Sequence, residues 1–148
     1  MYTDDELEMM RRDIVIASEA GADGIVSGVL RRDNTVDADA MRNLVDIARN
    51  LPVTFHRAFD HTPDLGKSLE TVIDAGVQRI LTSGGAAKAV DGIRGLAKLV
   101  RQAGPRLTVL AGGGVRDDNV RKIVSRSGVR EVHARLIPGF AKTVAALT

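Results

Sequence analysis

Three side chains able to do chemistry fall together in His56-Arg57-Ala58-Phe59-Asp60. An imidazole titrates near neutrality and offers a nitrogen lone pair, so His56 can serve as a general acid or base, or as a metal ligand. Arg57 can fix a carboxylate or phosphate through paired hydrogen bonds, or can pair with Asp60 and hold the loop. Asp60 can act as a catalytic carboxylate or can order the turn at His61-Thr62-Pro63-Asp64. Two glycine runs, Ser83-Gly84-Gly85 and Gly112-Gly113-Gly114, suit close approach of backbone amides to an anion, and suit tight strand-to-helix turns equally. Near the C-terminus, His133 can join His56 around a metal ion and Arg135 can neutralise an anion.

The elements that must position these groups are legible as a repeat. Apolar runs Gly24–Leu30, Pro52–His56, Arg79–Ser83, Leu107–Ala111 and Arg130–Ala134 recur at intervals of roughly 23 to 28 residues. Between them lie stretches with helical spacing, such as Met41, Leu44, Val45 and Ala48, or Ile93, Leu96, Leu99 and Val100. Thr3 with Glu6 forms a capping-box pattern, Asp37 and Asp64 suit helix N-caps, and Gly21, Gly76, Gly104 and Gly128 suit helix C-termini. Near-continuous apolar strands joined by helical crossovers predict a parallel sheet. Its regular step favours a barrel over an open sheet that reverses direction. The expectation is an α/β chain, a single domain over residues 1–148, forming a partial TIM (β/α) barrel of five parallel strands each paired with helices. Strand alternation points Thr54 and His56 inward against Val53 and Phe55, and Glu131, His133 and Arg135 inward against Val132. In such folds ligands meet the C-terminal strand ends, where all of the candidate groups lie.

Composition narrows the chemistry. The absence of cysteine excludes disulfides, thiolate zinc sites and a cysteine nucleophile, and removes the best soft ligand for Cu(I). No apolar stretch approaches the roughly 20 residues of a membrane span. The N-terminus is acidic where a signal peptide would be basic, so a cytoplasmic location is expected. The arginines are scattered and aromatic residues are few, which argues against a nucleic-acid surface.

The segments Leu51–Asp60 (LPVTFHRAFD), Arg79–Gly85 (RILTSGG) and Ala111–Val115 (AGGGV), with Gly21–Ile25 upstream, resemble the characteristic stretches of the CutC family. The resemblance runs from about Tyr2 to His133. It implies a cytosolic TIM-type barrel with a role in copper homeostasis and copper as its ligand. It also implies that three opening strands precede the matched segment, so the chain is expected to be N-terminally truncated relative to the family. Family members tend to carry a serine two positions after the last strand's histidine, where this chain has Arg135. The competing expectation is a barrel enzyme acting on a small phosphorylated or carboxylated metabolite. There His56 would transfer a proton, and Ser83, Gly84, Gly85, Gly112, Gly113, Gly114 and Arg135 would bind the anion. An incomplete barrel leaves sheet edges and core exposed, which homo-oligomerisation would cover.

Overall fold

A computed structural model describes residues 2–135. Among them, three of the five α-helices start on the polar side chains expected of them. Thr3 and Glu6 form a reciprocal capping box on α1 (Asp4–Glu19), while Asp37 caps α2 (Ala38–Ala48) and Asp64 caps α3 (Leu65–Asp74). Each such cap stabilises its helix by about 1 kcal/mol. The remaining two, α4 (Ile93–Ala103) and α5 (Val120–Ser127), have no side-chain cap bond. Gly104 and Gly128 close α4 and α5 with positive φ, and Gly21 and Gly76 follow the ends of α1 and α3 in the same conformation.

The strands are β1 (Ile25–Ser27), β2 (Val53–Phe55), β3 (Arg79–Thr82), β4 (Thr108–Val115) and β5 (Glu131–Ala134). All four pairings are parallel, and the spatial order is the sequence order, β1-β2-β3-β4-β5. Sequential order with right-handed crossovers puts the helices on one face of the sheet. Two boundaries differ from the apolar runs. β1 stops at Ser27, and Leu30 instead bridges antiparallel to Val36. β4 runs on through the glycines expected to form a loop, with a register shift between Gly112 and Val115 that leaves Gly113 and Gly114 as a bulge against β5.

The core lies between the sheet and the helices. Val53, Phe55, Ile80, Val109 and Ala111 meet the apolar stripes of the helices, including Met41, Leu44, Leu69, Leu96 and Ile123, all buried. Each large side chain removed from water in this way contributes roughly 1.5–3 kcal/mol. The opposite face carries Val26, Thr54, Arg79, Leu81, Thr108, Leu110, Glu131 and His133 by register. On it Arg79 reaches across β4 to Glu131, with Nε and Nη2 donating at 2.6 and 3.2 Å. This ion pair is partly exposed, so its expected worth is at most about 1 kcal/mol.

Candidate functional site

At the C-terminal ends of β2 and β3 the chemistry centres on Asp60. Residues Arg57–His61 form a 3-10 turn directly after β2, which lays Asp60 against the end of β3. Its carboxylate, 6% exposed, accepts from Arg57 Nε at 3.0 Å and from the Ser83 amide at 3.0 and 3.1 Å. It also accepts from the Gly85 amide at 3.1 Å and from the hydroxyl of Thr82. Burial, the largest single influence, pushes the Asp60 pKa upward. The hydrogen bonds from Thr82, the Ser83 and Gly85 amides and Arg57 together outweigh it and hold the group below the ordinary 3.8. The amide of Gly84 donates to Thr82 Oγ1 at 2.9 Å. The glycine-rich turn after β3 is thus a cradle for an anion, and the anion facing it is the protein's own carboxylate.

Arg57 is consequently fixed rather than free. Nε is held by Asp60, and Nη2 donates to the Ser83 hydroxyl at 2.8 Å. The single proton of that hydroxyl can serve Asp60 Oδ2 at 2.9 Å or the Ala86 carbonyl. The guanidinium then extends over Gly113, where a Cβ would stand 3.1 Å from Nη1 and 3.2 Å from Cζ. Its side chain is 41% exposed, and Nη1 has no hydrogen-bond partner among the described residues. The Nη1 edge of a planar, permanently charged donor therefore remains available at the C-terminal ends of the strands.

His56 sits at the start of the 3-10 turn, where Nδ1 accepts from the Ala58 amide at 3.3 Å. The ring packs edge-on to Phe55, with centroids 5.8 Å apart, and lies over Gly28, whose missing Cβ would stand 2.7 Å from it. With Nδ1 used as an acceptor, a neutral ring carries its proton on Nε2, so base or metal-ligand work at Nε2 requires the Ala58 bond to open. His133 is exposed on β5, in register with Gly112. Strands β3 and β4 stand between the two histidines, and neighbouring strands are about 4.8 Å apart. Arg135 follows β5 and is exposed. Among the described residues, no group of three or more His, Cys, Asp or Glu side chains could hold a metal ion.

Gly112 has a packing role: a Cβ there would stand 2.5 Å from Leu81 Cδ1. Two residues that sequence reasoning passed over join the site. Thr82 is fully buried and donates to Asp60. Lys88 lays its aliphatic stem against Gly114, with Cγ 3.5 Å from the position of a Cβ. Thr82 could have been found as the lone polar side chain closing the run Ile80-Leu81-Thr82. A single lysine in a loop carries no such signal.

Comparison with known proteins places these features in context. The profile described as the CutC family matches residues 1–137. A CutC family protein of Caulobacter vibrioides is 42% identical over 93% of this chain and 58% of its own length. A human copper homeostasis protein cutC homolog is 43% identical over 90% of this chain and 49% of its own. The chain thus spans about half the length of the curated relatives it matches. Among solved structures, a Streptococcus agalactiae protein described as a copper homeostasis protein, CutC, superposes with a TM-score of 0.85 at 34% identity, covering 90% of this chain and 65% of that one. An aldolase, QR15, superposes with a TM-score of 0.69 at 18% identity, a likeness of fold alone.

Proposed function

The chain belongs to the CutC family, and on that premise we propose that it supplies part of a barrel mouth that binds a small anion, within a protein whose role lies in copper homeostasis. One observation carries the reading: Arg57 is braced by Asp60 and Ser83 so that its remaining donor edge faces out over Gly113. A guanidinium held in advance loses little side-chain entropy when it takes up a carboxylate or phosphate.

Copper enters this reading as cargo of the process. Against a resident copper centre in this segment speak the absence of cysteine, the placement of Met9 and Met10 on α1 and of Met41 in the core, and the separation of His56, at the turn after β2, from His133 on β5 by β3 and β4. A cytoplasmic setting is part of the proposal. No helix among the described residues is long and apolar enough to cross a membrane, which is compatible with that setting.

The test is calorimetric titration of the 148-residue chain with inorganic phosphate and acetate, alongside Arg57→Ala. Binding by the unaltered chain that weakens at least tenfold in the variant supports the reading. Equal binding by both proteins, or none by the unaltered chain, overturns it. A parallel titration with Cu(II) and with Cu(I) on the chain and on a His56→Ala, His133→Ala double variant addresses copper directly. A histidine-dependent site tighter than micromolar would make copper a ligand of this segment.

A further inference from the structure

We infer that the mouth's ligand is a tetrahedral oxyanion, an inorganic phosphate or phosphate monoester, seated over the Gly113–Gly114 bulge between Arg57 and Lys88, with Lys88 supplying the site's net charge. This rests on the anion reading above and specifies it.

Three features converge on one patch of backbone. The bulge interrupts β4 between Gly112 and Val115, and both of its glycines have positive φ, 104° and 71°. A bulge at a barrel rim re-aims the chain, and the missing Cβ atoms let the Arg57 guanidinium and the Lys88 stem lie directly against the backbone, so the ligand's seat is on the outer side of these two cations. Over the first glycine lies the Arg57 guanidinium, and over the second lies the stem of Lys88. The segment carrying Lys88 is tied to the same place, since the Ala89 amide donates to the Gly113 carbonyl at 2.9 Å.

Charge then assigns different roles to the two cations. Arg57 is paired with the buried Asp60 carboxylate, so the pair contributes direction and hydrogen bonds but almost no net charge. Lys88 is exposed and has no ion-pair or side-chain hydrogen-bond partner among the described residues. It therefore carries the positive charge that remains. A carboxylate offers two oxygens in one plane and is satisfied by the flat edge of Arg57 alone. A phosphate offers three terminal oxygens out of plane, enough to engage the Arg57 edge and the Lys88 ammonium from the same seat. The ring of His56, capping its own turn, is not needed for this binding.

The experiment is titration of the full chain with inorganic phosphate, glycerol 3-phosphate and acetate at low and moderate salt, for the unaltered protein, Lys88→Gln and Lys88→Arg. The expected result is phosphate binding stronger than acetate binding, reduced about tenfold or more in Lys88→Gln with a shallower salt dependence, and retained in Lys88→Arg. Acetate binding should change less than threefold. Phosphate and acetate binding that both depend on Arg57 and ignore Lys88 would overturn this inference while leaving the anion-binding mouth intact. Absence of binding by any of the three probes to the unaltered chain would remove both.

Discussion

Asp60 is where the residue scale decides most. Four donors converge on a carboxylate that burial alone would prefer to neutralise, and its pKa nonetheless lies below 3.8. Removing the charge strands those donors, each of which costs about 1–3 kcal/mol if left unpaired in a buried setting. Asp60→Asn keeps the shape and one acceptor, so a loss of about 2–3 kcal/mol is expected in urea unfolding at pH 7. The pH dependence has a definite sign. Because the folded-state pKa is depressed, the carboxylate's stabilisation is complete above the unfolded value near 3.8 and is lost as pH falls through the lower folded value. The gap between the two proteins should therefore be constant from pH 7 to about 5 and close below 4. A gap that widens on acidification would contradict this balance of burial against donors. The sequence made His56, Arg57 and Asp60 visible as a cluster, but it could not rank them. Asp60 read there as a catalytic carboxylate or as an organiser of the following turn, because the partners that hold it, Thr82, Ser83 and Gly85, lie more than twenty residues away. Only the fold brings them together.

Among the elements, α4 shows how tightly the site is tied to its scaffold. It begins at Gly92 and carries Gly95 in its first turn, and Cβ atoms there would stand 1.8 Å from the Ser83 carbonyl oxygen and 2.1 Å from that of Gly84. The helix is thus docked on the backbone of the turn that cradles Asp60. Gly95→Ala sets two effects against each other. Alanine gains about 1 kcal/mol of helix propensity over glycine. The added methyl meets backbone that cannot rotate away, an overpacking cost of about 1–3 kcal/mol, and it displaces donors that Asp60 needs. Net destabilisation of about 1–2 kcal/mol is expected in urea unfolding, with Lys98→Ala on the same helix changing stability by less than about 0.5 kcal/mol. A more stable Gly95→Ala would contradict the close docking. Helix positions and caps were legible because 3.6-residue spacing and capping side chains are local signals. The continuation of β4 through Gly112–Val115 was not, since glycine has low strand propensity and the ladder that holds it belongs to β3 and β5.

For the whole molecule, exposed apolar surface is the notable property. Val26 on the face of β1 away from the helices is 66% exposed, and Met9, Val15 and Ile16 on α1 are exposed as well. A cavity of about 270 Å³ lies between α1 and β1, lined by Met10, Ile14, Ile25 and Ser27 among others. The Ser27 hydroxyl is buried without a hydrogen-bond partner among the described residues. Parallel strands ordinarily have both faces covered, and β1 is bonded only to β2 among the described residues. We propose that the 148-residue chain, purified as such, covers this flank with a second copy. Sedimentation velocity should show a dimer or larger species that shifts toward monomer in Val26→Lys with Ile16→Glu. A compact monomer at all concentrations would exclude it.

The strictly sequential order of the sheet also has a consequence in time. Among the described residues every strand is bonded to the next one along the chain, so each ladder closes a loop of about one repeat, and the loop-closure entropy of each step stays small. None of these five strands must wait for a partner distant in sequence, and the units can join in the order in which they leave the ribosome. The Arg79–Glu131 pair, 52 residues apart in sequence, spans that order and is among the last contacts able to form.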